Sequence, residues 1–324
     1  MIFSILTATY NRAHTLPELY ASLKAQQFDA SKFEWLIMDD GSKDNTEALV
    51  KSWKNEGAIN IRFFKQKNGG HHRALNGIIP KARGRFSIIL DSDDTITPNA
   101  LGRYLEVWES IPEAKRDGFA GVSAQCMTHK GNWIGKPFPS DIFDSNNLEI
   151  KYVYKLSGDR KGFIRTEIQK AHLYPEFEGE KFISDSVVWH KIGQAYKTRY
   201  INEALCATEY LEDGQIYSIQ KLLCRNAKGS SKFYQDILNA RTPFSLKIRL
   251  GIHAYYVRYS LHAGYSWSKI IREGSSRPVY LLLGSLVGGF LYLRDEIKDV
   301  KEYRKNAPKA EPAPTNPQLV NDSF

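Results

Sequence analysis

The first 110 residues switch repeatedly between two hydrophobic periods, and that alternation leaves few folds open. Ile2 to Ala8 reads as a buried strand. Thr15-Leu-Pro-Glu18 then offers a capping box with proline near the helix start, and Leu16, Leu19 and Leu23 share one helical face. Phe33 to Met38 reads as a second strand, Asp44 to Lys54 as a short helix with Leu49, Val50 and Trp53 inward, and Ile61 to Phe64 as a third strand. Leu75, Ile78, Ile79 and Ala82 fall at i, i+3, i+4 and i+7 of the next helix. Phe86 to Leu90 is a fourth strand, and Thr97 and Pro98 open a helix carrying Leu101, Tyr104, Leu105 and Trp108 at the same spacing. Such repetition predicts an α/β, Rossmann-like fold: a mostly parallel central sheet with helices on both faces, ligands beyond the carboxyl ends of the strands, and a C-terminal helical appendage.

The chain has 324 residues, more than one α/β domain of about 220–250 residues needs. Residues 1–240 are expected to form that domain and 241–304 a basic and apolar helical region. Residues 305–324, rich in proline and without apolar periodicity, are expected to be a disordered tail. Hydrophobic residues at 42% and charged residues at 25% allow a large core and exclude global disorder. Cys126, Cys206 and Cys224 are widely spaced with no C-x-x-C pair, so neither a disulfide framework nor a thiolate zinc site is indicated. The opening MIFSILTATYNR has no basic stretch ahead of its apolar run, unlike a signal peptide, so the chain is expected on the cytoplasmic side.

A polar cluster follows each of the four strands: Thr9-Tyr-Asn-Arg12, Asp39-Asp-Gly-Ser42, Asn68-Gly-Gly70 and Asp91-Ser-Asp-Asp94. The last ends a very apolar strand, where several carboxylates would repel each other without a compensating cation. A hard divalent ion such as magnesium or manganese takes oxygen ligands and leaves coordination positions for phosphates. In the second cluster, Gly41 lets backbone approach a ligand closely, and a carboxylate beside it can accept from a base N–H or a ribose hydroxyl. The chain has no G-x-G-x-x-G after the first strand and no G-x-x-x-x-G-K-[ST], so dehydrogenase and P-loop readings lose their main support. A single nucleotide with a metal remains.

Taken in order, these motifs resemble the inverting GT-A glycosyltransferases of family two. The resemblance runs from Ile2 to about Gly214. It rests on Ala8-Thr-Tyr-Asn-Arg12, Asp39-Asp-Gly-Ser42, Asn68-x-Gly70-x-x-x-Ala74-x-Asn76, Ala82-x-Gly84 and Leu90-Asp-Ser-Asp-Asp94. It implies transfer of a hexose or N-acetylhexosamine from a nucleotide diphosphate donor, uridine diphosphate first among the carriers. The acceptor would be a saccharide or lipid-linked saccharide in surface polysaccharide or glycan biosynthesis. By the resemblance, Ala8, Thr9 and Tyr10 line the nucleobase pocket with Arg12 on the donor side. Asp39 reads the base edge, while Asp40 and Ser42 support that loop. Asn68 and Gly70 lie near the nucleotide. Asp91 and Ser92 face ribose or donor sugar, Asp93 ligates Mn2+ or Mg2+, and Asp94 contacts the sugar or orients the site.

Inverting transfer needs a base for the acceptor hydroxyl. The family takes it from a Glu-Asp pair opening a helix some ninety residues after the metal motif. The matching stretch, Glu178 to His190, offers Asp185, preceded by Ser184 where glutamate is commoner, with Glu180 as the alternative. His71 stands where lysine is expected, and with His72 and Arg73 it reads as a donor-side contact rather than a zinc ligand. Tyr210-Leu-Glu-Asp-Gly214 is a candidate closing segment. A nucleotidyltransferase would need a glycine-rich first loop, which Ala8-Thr-Tyr-Asn-Arg12 lacks. An inactive nucleotide-sugar sensor or membrane scaffold would have lost Asp93 or Asp185, and both are present.

The net charge of +9 is concentrated. Arg241 to Arg277 holds seven basic residues and one acidic, a net +6, among several tyrosines and Trp267. Val279 to Leu293 follows with no charge at all, a run shorter than the roughly 20 apolar residues a spanning helix needs. Residues 241–293 are therefore expected to meet an anionic membrane surface at the inner face of the cell membrane, rather than nucleic acid. The alternative is that they pack on the catalytic domain or form a homo-oligomer interface.

Overall fold

The computed structural model describes residues 1–208, 219–274 and 277–306. Strands β1 (Phe3–Thr9), β2 (Phe33–Asp39), β3 (Asn60–Lys65) and β4 (Phe86–Ile89) make a parallel half-sheet in the order β3-β2-β1-β4. The sheet continues through β9 (Arg160–Arg165), antiparallel to both β4 and β6 (Phe119–Met127), and then β10 (Lys197–Ala207), parallel to β6. The short strands β5 (Thr95–Ile96), β7 (Trp133–Ile134) and β8 (Ile142–Ser145) complete its far side.

The period of two in β1 and β2 sorts side chains between two cores. Phe3 and Ile5 join Phe33, Trp35 and Ile37 on one face, beneath α1 (Leu16–Lys24), α2 (Thr46–Glu56) and α4 (Ala100–Glu109). There Tyr20, Trp35 and Trp53 stack with ring centroids 4.4–6.1 Å apart. Leu6, Ala8, Leu36 and Met38 face the other core, covered by α3 (His71–Ile78), α6 (Ser186–Gly193), α8 (Ala227–Leu238) and α9 (Leu246–His262). The expected two-faced α/β sheet is present, parallel through the first four strands and again in the β6–β10 pair.

Local details differ from the sequence reading. Thr15 sits in the right-handed helical region rather than the extended conformation an N-cap needs, so its hydroxyl donates to the Arg12 carbonyl at 3.3 Å and no capping box forms. Thr97 bonds the Asn99 side chain at 3.0 Å, and α4 starts only at Ala100. The apolar spacing across Leu75, Ile78, Ile79 and Ala82 spans two elements. Pro80 lacks an N–H, α3 ends at Ile78, and the turn Ile79–Lys81 tightens to a 3-10 helix, yet all four side chains remain buried.

The expected helical C-terminal region consists of α9, α10 (Trp267–Glu273) and α11 (Pro278–Asn306). α11 runs along α9 on its small residues. A Cβ on Gly284 would stand 2.6 Å from the His253 Cβ, and one on Gly288 would stand 2.4 Å from the Ala254 carbonyl oxygen, so these glycines allow the helices to touch backbone to backbone. Further along, Asp295 takes the Arg258 Nε–H at 2.6 Å and lies 3.2 Å from His262 Nε2. Arg258, one of the seven basic residues counted in this segment, is thus a buried internal partner.

Candidate active site

Beyond the carboxyl ends of β1, β2, β3 and β4 lies a cleft of about 890 Å³, within the ~300–1,000 Å³ range of small-ligand sites. Twelve of the residues singled out on sequence grounds line it. They are Ala8, Thr9, Tyr10 and Arg12; Asp40, Asn68, Gly70 and His71; and Asp91, Ser92, Asp93 and Asp185. Asp39 and Asp94 lie beneath the surface, each buried.

One carboxylate ties the second and third loops. Asp40 accepts from the Gly69 and Gly70 N–H groups at 2.8 Å each, from Gln66 at 2.8 Å and from Asn68 at 3.1 Å, so its lone pairs are spent holding the Asn68–Gly70 turn. Ser42 accepts the Asn11 N–H at 2.8 Å and ties the first loop to the second. Asp39 accepts the Ser42 N–H at 2.8 Å through one oxygen, while its other oxygen is buried without a hydrogen bond, 3.8 Å from Lys65 Nζ. The adjacent histidines diverge: His71 faces the cleft, whereas His72 is buried with both ring nitrogens unpartnered and its pKa pushed down to about 4 by burial.

The acidic cluster contains a cation supplied by the chain itself. Lys161, on β9 beside β4, places Nζ 2.6 Å from Asp91 Oδ2 and 2.7 Å from Asp94 Oδ2. Asp94 also accepts the Asp91 N–H at 2.9 Å, leaving its other oxygen buried and unpaired. Burial opposes the Asp91 charge, but Lys161 and His71 outweigh it and hold that carboxyl near pKa 2. Burial raises Asp94 despite the same lysine. Asp93 forms no ion pair within 4 Å among the described residues, and burial together with the neighbouring Asp91 charge raises its pKa. A cleft-lining carboxylate with an electrostatic debt and no amine of its own fits a hard divalent cation that shares its remaining ligands with phosphate.

Asp185 stands at the start of α6 and lines the cleft, but its side chain caps no helix N–H. Burial raises its pKa, Asp91 adds to this, and His71 and Lys161 pull it back, so the four groups belong to one electrostatic cluster. Tyr174, also on the cleft wall, is raised well above its usual value by burial and then by the Asp185 charge. Glu180 is committed elsewhere: it accepts the Lys228 and Gly229 N–H groups at 2.7 and 2.9 Å, at the N-terminus of α8. The segment carrying Asp185 is seated by Gly70. A Cβ there would lie 2.0 Å from the Lys181 carbonyl oxygen, and its φ of +98° is itself unfavourable to other residues. Lys181 in turn donates to Asn68 at 2.8 Å. Gly70→Ala is expected to lower stability by about 2–4 kcal/mol in urea denaturation; a loss below about 1 kcal/mol would mean this seating is soft.

Sequence reasoning missed Lys161, Tyr174 and Lys181. The only signal for Lys161 was chemical: a buried acidic cluster demands a cation, and a lysine meets that demand as well as a metal. Tyr210 to Gly214 lies outside the described residues.

The sequence profile described as glycosyl transferase family 2 matches residues 4–167, just over half of the chain. This protein belongs to glycosyl transferase family 2. It is 33% identical over 101 residues to the poly(ribitol-phosphate) beta-N-acetylglucosaminyltransferase TarS of Staphylococcus aureus, covering 31% of this chain and 18% of TarS. It is 24% identical over 207 residues to the GalNAc(5)-diNAcBac-PP-undecaprenol beta-1,3-glucosyltransferase of Campylobacter jejuni, covering 62% of each. The chain therefore matches well under half the length of relatives such as TarS. The fold is that of GT-A transferases. It superposes on S. aureus TarS 1–349 in complex with UDP-GlcNAc with TM-score 0.59 at 21% identity, covering 83% of this chain and 75% of that one. A mannosyltransferase of Pyrobaculum calidifontis, solved with GDP-Man and Mn2+, gives TM-score 0.54 at 17% identity, covering 94% and 82%.

Proposed function

We propose that this protein is an inverting glycosyltransferase that moves a sugar from a nucleoside diphosphate donor, uridine diphosphate first among the carriers, to a hydroxyl of a saccharide or lipid-linked saccharide in surface glycan assembly. The observation that carries this reading is the meeting of two unlike carboxylates in one cleft: Asp93, without an ion-pair partner among the described residues, and Asp185, at a helix start with no side-chain cap on the helix. The relatives named for N-acetylglucosaminyl and glucosyl transfer support the same class.

In this reading Ala8, Thr9 and Tyr10 take the nucleobase and the Asp39 loop recognises its edge. Asp93 would hold Mn2+ or Mg2+, which when bound neutralises the diphosphate leaving group. Lys161 keeps Asp91 ionised and fixed beside the donor sugar. Asp185 accepts the acceptor hydroxyl proton as that oxygen attacks the anomeric carbon, and its raised pKa brings its basicity closer to neutral pH. One displacement forms the new glycosidic bond and releases the nucleoside diphosphate, with inversion.

Calorimetric titration with uridine, guanosine and thymidine diphosphates, each with and without Mn2+, tests the donor half of this reading. One nucleotide should bind in a metal-dependent way, and Asp93→Ala should weaken that binding at least tenfold, about 1.4 kcal/mol. Absence of metal-dependent binding by all three would sink the proposal.

A further inference from the structure

The apolar run of α11 faces outward. Its small residues, Gly284 and Gly288, lie against α9, while its large side chains point away from the protein: Leu282, Leu286, Phe290, Leu293 and Ile297 are each between 56% and 70% exposed. At 3.6 residues per turn, the exposed apolar arc from Leu282 to Val287 sweeps about 140° of the helix. Exposed apolar surface continues onto neighbouring helices. Trp267 and Ile271 on α10 are 49% and 64% exposed, and Gly274, just beyond α10, meets Leu281 of α11. Patches of this extent mark interaction surfaces.

We infer that α9, α10 and α11 together form an interfacial platform that docks on a membrane leaflet bearing anionic headgroups, with the outward face of α11 entering the acyl boundary. This goes beyond the transferase reading and does not depend on it. Charge decides the occupant. Arg241 and Lys247, around the start of α9, and Arg272, at the end of α10 and 3.3 Å from Glu273, are exposed. A second copy would bring this basic rim against its own like, whereas anionic lipid neutralises it. The breadth of the arc points the same way, since a two-chain helical seam is narrower. The platform lies on the surface and does not span: no helix among the described residues is long and apolar enough to cross a membrane.

The test is cosedimentation of the full chain with vesicles of phosphatidylcholine alone or with about 30% phosphatidylglycerol, at low and high salt. Wild type should pellet with the anionic vesicles and be released by salt. Leu286→Glu/Phe290→Glu, at exposed positions that leave the core intact, should lower the partition coefficient more than about 100-fold with an unchanged melting curve. Arg241→Gln/Lys247→Gln should lower it about fivefold per charge removed. The inference is overturned if wild type stays in the supernatant, if it pellets equally with neutral vesicles, or if it sediments as a dimer that Leu286→Glu/Phe290→Glu dissociates. The last outcome would assign the surface to a second copy. Nucleotide binding is measured separately and is expected to be the same in every variant, so failure here leaves the donor-site result standing.

Discussion

Asp185→Asn should abolish transfer while leaving nucleotide binding intact. Asparagine keeps the shape of the side chain and cannot accept the proton, and removal of a general base costs about 10²–10⁴ in rate. The loss should appear in kcat, with the metal-dependent nucleotide Kd within about twofold of wild type. The same substitution should make the protein more stable at neutral pH. Because burial raises the Asp185 pKa, the folded state holds that proton more tightly than the unfolded chain. Its charge therefore costs stability once pH passes the ordinary carboxylate value, and the neutral amide relieves that cost. A variant that is less active yet melts higher is the signature of a functional charge held against its environment. For wild type, kcat/KM should fall on the acid side at a pH above the usual carboxylate range as the base becomes protonated. An Asp185→Asn enzyme with normal turnover would remove Asp185 from the reaction.

The second large effect is expected at Lys161. Lys161→Met keeps the bulk of the stem and removes the cation that bridges Asp91 and Asp94, leaving two neighbouring carboxylates uncompensated. Breaking a buried charge pair from one side costs about 3–5 kcal/mol. Urea denaturation should show a loss of this order at neutral pH, shrinking toward pH 3–4 as a carboxyl takes up a proton in place of the lysine. Asp94→Asn placed in the Lys161→Met background should recover part of the loss, because the pair then carries one charge instead of two. Recovery defines a coupling that simple loss of packing cannot produce. If the double variant is no more stable than Lys161→Met alone, the lysine contributes bulk rather than charge.

The parallel half of the fold was legible in sequence because β1, β2 and β4 are buried on both faces and its helices show their periodicity openly. Phe3 and Leu6 on β1, or Leu19 and Leu23 on α1, need no tertiary knowledge to be placed. The strand-end clusters followed from the same logic. Asp185 was reached only through the family's Glu-Asp pattern, with Glu180 as the alternative, and only the structure shows Glu180 occupied at the N-terminus of α8. Lys161 could not be found locally. It lies 70 residues from Asp91, and the two meet because β9 inserts antiparallel between β4 and β6, an arrangement that alternating strands and helices do not announce. The orientation of α11 was hidden for a different reason. An uninterrupted apolar stretch has no weak and strong side, so periodicity carries no direction. The spacing of Gly284 and Gly288, four residues apart, was the available clue to which side lies against a neighbour.

The stacking of α6 on α8, α8 on α9 and α9 on α11 has a geometric corollary. Packed helices stand about 8–10 Å apart, so three successive steps place the axis of α6 at most about 24–30 Å from the axis of α11, and the outer face of α11 a helix radius of about 5 Å further out. With that face on a leaflet, the stack becomes a ruler. An acceptor tethered in the same leaflet presents its hydroxyl to Asp185 only if its headgroup and glycan reach that height, and the enzyme would then select acceptors by length before it selects them by chemistry.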